Sequence, residues 1–147
     1  MKSAVRLAGA LLLALVASTL TARAQVPYTQ GTVTRVVLLS VIPGHSDAFF
    51  ADLKKNVVPL WEAEKGAGLI VDYSLFLNET SSGPNDWSIG YTITYKNMAA
   101  LDGLPDKVYG LRMKQYGSKE DEQKVIEKRV ENAKVVSSSL LRGITLR

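Results

Sequence analysis

An α+β domain with the element order β-α-β-β-α-β is predicted by three features of the chain. Residues 32–42, TVTRVVLLSVI, are β-branched and aliphatic almost throughout, as in a strand buried on both faces. From Ser46 the apolar spacing changes to three and four residues, which marks an amphipathic helix. Residues 87–95, WSIGYTITY, alternate with a period of two, the pattern of a half-buried strand.

The elements follow in order. Residues 25–31, QVPYTQG, read as a short polar leader, and Pro43-Gly44 stops the first strand. The first helix is expected over 46–65, with Phe49, Phe50, Leu53, Val57, Leu60 and Trp61 on its apolar side and Asp47 in its first turn. Pro59 falls inside that pattern, so a kink or break is expected near Asn56–Val58. Gly66 and Gly68 end the helix. In the second strand, 69–78, Leu69, Val71, Tyr73, Leu75 and Leu77 share one face, while Ile70, Asp72, Ser74, Phe76 and Asn78 share the other. A turn-rich loop over 79–86 leads into the third strand as a hairpin. There Trp87, Ile89, Tyr91, Ile93 and Tyr95 face one side, and Ser88, Gly90, Thr92 and Thr94 the other.

Residues 97–116 are helical with a break at Gly103 and Pro105. The SKED stretch, Ser118 to Asp121, resembles a capping box, and the helix it opens runs to about Val136 on an apolar stripe of Val125, Ile126, Val130 and Ala133. The remainder of the Lys/Glu-rich stretch 119–134 reads as a solvated face. Residues 139–147 supply the last strand. This order is the split βαβ, or ferredoxin-like, unit, with sheet order 4-1-3-2 and both helices on one face. The other face needs a cover. Val37, Leu39, Ile70 and Phe76 are expected there, which argues for a homodimer through the sheet face.

Residues 1–24 carry an address. Lys2 and Arg6 precede an apolar run from Leu7 to Val16, and Ala22-Arg23-Ala24 supplies a small-x-small cleavage pattern. The expectation is an exported chain, periplasmic or secreted and bacterial, with no membrane attachment after cleavage at Ala24. Three of the 18 basic residues and none of the 14 acidic ones lie in that segment, so the remainder carries 15 against 14. That near-balance removes the clustered basic face that nucleic-acid binding requires. The chain has no cysteine, hence neither a disulfide framework nor thiolate chemistry. Residues 32–147 are one domain of ordinary size.

With these elements in hand, the buried first strand followed by Pro43, Gly44, His45, Asp47 and Phe49/Phe50 resembles the dimeric α/β-barrel superfamily at the level of topology. The resemblance implies a homodimer whose sheets pack face to face, with a pocket between sheet and helices. That superfamily includes cofactor-free monooxygenases, lactone isomerases, and haem-binding and haem-degrading enzymes. The only histidine here, His45, lies at the first strand–helix junction and not on the later helix where haem-degrading members keep theirs.

The candidate ligand-binding residues are Arg35, Asp72, His45, Arg142 and Thr92. Arg35 and Asp72 are charges set in apolar strands, where an unpaired charge is costly. In the 4-1-3-2 order they stand two strand spacings apart, roughly 9–10 Å, above the small side chains of Gly90 and Thr92. An Arg–Asp pair, or a ligand between them, would fit that gap, and Arg142 on the last strand would add a second positive charge toward a carboxylate. His45 has no second histidine or cysteine to share a metal, which argues against a zinc site, and no metal or cofactor is expected. Trp61, Tyr73, Trp87, Tyr91 and Tyr95 read as core or dimer contacts, with an aromatic pocket as the alternative. Two functions fit this inventory: a dimeric domain binding a small hydrophobic or carboxylated ligand, and a cofactor-free monooxygenase or isomerase in which Arg35, His45 and Asp72 orient substrate. A haem binder using His45 is the third.

Overall fold

In the computed structural model the described residues are 26–80, 83 and 86–147. The expected export signal falls on residues 1–24, outside them. The described chain divides into Gln30–Thr145 and a terminal unit containing Val26–Thr29 and Leu146–Arg147. In the latter the Arg147 N–H donates to the Pro27 carbonyl at 3.0 Å.

The order is β1 (Tyr28–Val41), α1 (Ser46–Asp52), a π-helical segment (Leu53–Val57), α2 (Val58–Gly66), β2 (Asp72–Leu77), β3 (Ile89–Tyr95), a 3-10 turn (Met98–Leu101), α3 (Leu104–Tyr116), α4 (Lys119–Asn132) and β4 (Ala133–Leu146). The four strands form one antiparallel sheet in the order β2-β3-β1-β4. That is the 4-1-3-2 arrangement of the ferredoxin-like fold, as the sequence predicts.

The first helix shows how one residue shapes the element. Pro59 has no N–H to return to the Lys55 carbonyl, and the chain accommodates this with the π segment immediately before it. Carbonyls at this point find side-chain donors on the end of α3. Gln115 Nε2 donates to the Lys55 carbonyl at 3.1 Å, and the Tyr116 hydroxyl to the Asn56 carbonyl at 3.4 Å. The expected kink at Asn56–Val58 is therefore a π turn within a helix that keeps its direction of burial: Phe49, Leu53, Val57 and Trp61 are all buried. At the start of α1, Gly44 has φ 84°, which L side chains avoid, and the His45 N–H closes the turn on the Ile42 carbonyl at 2.9 Å.

Pairing fixes which face each strand residue occupies. Arg35 pairs with Ile93 and Val37 with Tyr91 across β1 and β3, and Tyr73 pairs with Ile93 across β2 and β3. Directly paired residues share a face, so β1's odd-numbered residues, with Tyr91, Ile93 and Tyr95, look toward the helices. The core there holds Val33, Phe49, Leu53, Val57, Trp61, Ile70, Ile89, Ile93, Tyr95 and Ala133. This corrects the expected composition of the open face. Val37 and Ile70 are buried, and Leu39 packs against the helix-side core. Of the four residues expected on the open face only Phe76 is there, beside its partner Gly90. A Cβ at Gly90 would overlap the Phe76 ring and come within 2.9 Å of Leu38, so the glycine makes room for that ring. The open face also carries Val36 and Leu38, the partners of Thr92 and Gly90, and beside them a row of hydroxyls. Thr34 pairs with Thr94 through their hydroxyls at 3.3 Å, and Ser74 with Thr92 at 2.8 Å.

Three boundaries differ from expectation. β1 begins at Tyr28, inside the expected leader, consistent with the strand preference of Tyr and Thr. β2 starts at Asp72 although Ile70 just before it is already buried. β4 starts at Ala133, where a helix running to Val136 was expected, because Val135 and Val136 favour the extended chain. Ser118 caps α4 as expected: the Asp121 N–H donates to Ser118 Oγ at 3.1 Å, and that hydroxyl donates to Asp121 Oδ2 at 2.9 Å. Among the described residues no helix is long and apolar enough to cross a membrane.

Glu64 is a buried acid on α2. Burial pushes its carboxyl above the ordinary value of 4.5, and the Arg112 guanidinium only partly opposes this. The folded carboxyl thus holds its proton more tightly than the unfolded one. Its contribution favours folding below pH 4.5 and is lost as pH rises through the raised folded value. Glu64→Gln is expected to stabilise the domain more at pH 7 than at pH 4. Urea unfolding at the two pH values checks this, and an equal effect at both would contradict it.

Candidate functional site

Between the helices and the sheet lies a cavity of ≈ 150 Å³. It is lined by Leu39 of β1, Tyr91 of β3, Phe49 of α1, Leu53 and Val57 of the π segment, Trp61 of α2, Arg129 and Val130 of α4, and Ala133 and Val135 of β4. The helical periodicity of residues 49–61 aims four of these side chains at one place, and the strand period aims Leu39 and Tyr91 at the same place from below. Trp61 is the aromatic wall, with ring centroids 5.2 Å from Tyr73 and 5.0 Å from Tyr91. Those spacings are those of favourable tilted aromatic contacts.

Two residues of this lining carry polar side-chain groups, Tyr91 and Arg129. Burial pushes the Tyr91 hydroxyl up from its ordinary value, against the pull of Arg35 and Arg129, so it remains a protonated donor at neutral pH. Arg129 is held across the fold by Asp52. Nε donates to Asp52 Oδ2 at 2.5 Å and Nη2 to Oδ1 at 3.4 Å, with side-chain exposures of 28% and 13%. Asn56 Nδ2 adds a third donor to that carboxylate at 2.7 Å. The result is an apolar chamber with one matched ion pair in its wall. It can hold a ring-sized molecule and offer it one or two hydrogen-bond donors.

The residues singled out in the sequence are not gathered around this chamber. Arg35 is on the helix face of β1, with its guanidinium beside the Tyr95 hydroxyl. Asp72 is on the opposite face, because its partner is Thr94, the neighbour of Ile93. Its side chain is 64% exposed and accepts from Lys65 Nζ at 2.7 Å. The expected Arg35–Asp72 bridge does not form, and the reason is a one-residue parity between β1 and β2. Thr92 is on the open face, bonded to Ser74. Arg142 donates to Gln30 Oε1 at 2.7 Å on exposed β4.

His45 is at the N-cap of α1, exposed, with Nδ1 2.8 Å from Asn132 Oδ1, a bond in which the imidazole donates. The Ile42 N–H reaches the Asn132 carbonyl at 2.9 Å, so these contacts tie the β1–α1 corner to the end of α4. His45→Ala is expected to cost about 1 kcal/mol in stability, the worth of an ordinary hydrogen bond. Thermal unfolding reads the loss; an effect above about 3 kcal/mol would mark a role beyond this bond.

Among the described residues no three or more His, Cys, Asp and Glu side chains come together as a metal site requires. Arg129 is the residue that sequence inspection missed. A signal was available: Val125, Ile126, Arg129, Val130 and Ala133 follow the three- and four-residue rhythm of the apolar stripe, so Arg129 falls inside it.

No protein-family model matches the chain, and no curated protein matches it. Solved structures do resemble it. A dimeric ferredoxin-like protein from an uncultured marine organism is 15% identical, with a TM-score of 0.48 over 81% of this chain and 98% of that one. A nipsnap family protein from Agrobacterium tumefaciens is 10% identical, with a TM-score of 0.46 over 80% and 89%. A DABB family protein from Mesorhizobium loti is 14% identical, with a TM-score of 0.44 over 80% and 100%. Strand order and register, rather than these likenesses, define the fold of this chain.

Proposed function

We propose that this chain is an exported, homodimeric small-molecule-binding domain whose ligand occupies the chamber between Trp61 and Tyr91. The chamber carries the proposal. It is largely apolar, of a size that holds a single six-membered ring, with Tyr91 and Arg129 as the polar residues of its lining. A core without function would close such a space, because an unfilled cavity of this kind costs stability.

The dimer is supported by β4. This edge strand is exposed along nearly its whole length and carries Val135, Val136, Leu140, Leu141 and Ile144, all more than 40% exposed. From Val135 to Leu141 it has no charged residue. Long, apolar, unguarded edges pair with other chains, and a second copy presenting the same strand about a two-fold axis is the partner such an edge fits. Light scattering is expected to give a dimer at micromolar concentration, and a monomer throughout would remove that part of the proposal. Export rests on residues 1–24. Purified secreted protein is expected to begin at Gln25, and an intact Met1 would contradict it.

Ligand binding is tested by thermal shift against a panel of small aromatic compounds, since a molecule that binds only the native state raises its melting temperature. Hits are expected, and Ala133→Leu, which puts bulk into the chamber, is expected to abolish them. Arg35→Ala and Asp72→Ala are expected to leave them unchanged. A panel without hits, or hits indifferent to Ala133→Leu, would overturn the ligand site.

A further inference from the structure

Resting on the ligand-binding role proposed above, we infer that the chamber selects an uncharged, ring-sized molecule bearing a hydrogen-bond acceptor and discriminates against the corresponding carboxylate. The sequence alone left hydrophobic and carboxylated ligands side by side; the pairing of Arg129 separates them.

Arg129 is the one charged residue in the lining. Its charge is not available to a ligand, because both Asp52 oxygens already engage it, and Asp52 is itself held by Asn56. The one cation in the lining is therefore neutralised, and Arg35, which also acts on the Tyr91 hydroxyl, stands outside the lining. A carboxylate entering beside Leu39, Phe49, Leu53 and Trp61 would lose its water against apolar surface, and loss of solvation for an ion is costly unless a partner compensates. The Asp52 charge just behind Arg129 would oppose it further. A neutral acceptor escapes both costs. Guanidinium has five N–H donors, of which Asp52 takes two and the Tyr116 hydroxyl another, so Arg129 retains donors, and the Tyr91 hydroxyl supplies one more. The ≈ 150 Å³ volume limits the guest to about one six-membered ring with a small substituent.

Benzamide and benzoate test this, being nearly identical in shape and differing in charge. Titration calorimetry on the full chain at neutral pH is expected to show benzamide binding at least about tenfold more tightly than benzoate, a difference of about 1.4 kcal/mol. In Asp52→Asn, Arg129 lacks its anion, and benzoate is expected to gain about tenfold relative to benzamide. Benzoate equal to or tighter than benzamide on the native chain would overturn the inference while leaving a ligand site in place. A folded Asp52→Asn variant with an unchanged ratio would also overturn it. Should Asp52→Asn not fold, the ratio on the native chain decides alone. If benzamide, benzoate and toluene all fail to bind, the ligand-binding role itself falls and takes the inference with it. Toluene binding with benzamide excluded overturns the inference only.

Discussion

Trp61→Ala is expected to destabilise the domain by about 3–5 kcal/mol, the range for removing a large buried aromatic. Trp61 is 6% exposed and contacts two strands at once through Tyr73 and Tyr91. It also stands just beyond the π segment, on the helix that carries Phe49 and Leu53 to the core. Removing the indole would enlarge an existing cavity, and the neighbours cannot relax far, because Pro59 and the sheet pairing hold the backbone on both sides. For a domain of ordinary stability, about 5–15 kcal/mol, this is a large share of the total. Urea unfolding followed by far-UV circular dichroism measures it. Trp61→Phe, which keeps a ring against Tyr91, is expected to cost less. A loss below about 1 kcal/mol for Trp61→Ala would mean that the indole is not the keystone of this core.

Asp52→Ala is expected to cost about 2–3 kcal/mol, less than the 3–5 of a fully buried pair that loses one partner. The discount reflects Arg129, whose side chain keeps 28% exposure and can turn partly to water. Asn56 loses its acceptor in the same substitution. A double-mutant cycle with Arg129→Ala isolates the pair, with an expected coupling of about 1–2 kcal/mol. Because the pair is largely out of solvent, most of that coupling should persist at about 0.5 M salt. The surface pair Lys124–Asp121, 71% and 58% exposed, is the natural control, expected to couple far more weakly and to vanish in salt. If the Asp52–Arg129 coupling vanished in salt as well, the wall of the chamber would not be the matched, desolvated pair described above.

Much of the architecture is written in the chain. The alternation of residues 87–95 gives β3 and its buried face, the 49–53–57–61 rhythm gives the first helix, and Ser118 with Asp121 gives the start of α4. Even the π segment is foreshadowed by Pro59. The site was harder to see, for reasons that are physical. Asp52 and Arg129 are 77 residues apart, and each looks like an ordinary surface charge on its own helix. Only the packing of α4 against α1 makes them partners. Arg35 and Asp72 misled because face assignment depends on register, and a shift of one residue sends a side chain to the other face. The β4 start was missed because Val130, Ala133 and Val136 extend a helical spacing by chance, while β-branched Val135 and Val136 prefer the strand they adopt. His45, the most conspicuous residue in the chain, turns out to hold a corner.

The chamber thus joins features that separate stretches of sequence supply: an aromatic wall from α2, a rigid floor from β1 and β3, and a neutralised cation from α4 and α1. Its lining includes the exposed Val130 and Val135, at 66% and 64%, the latter on the strand offered to a second copy.

The most direct test is a crystal structure of the chain soaked with benzamide. The ring is expected between Trp61, Phe49 and Tyr91, with its carbonyl oxygen toward the Tyr91 hydroxyl and Arg129, and Asp52 still engaging Arg129. Benzamide seated elsewhere, with the chamber closed or filled by water alone, would contradict the assignment of this chamber as the binding site.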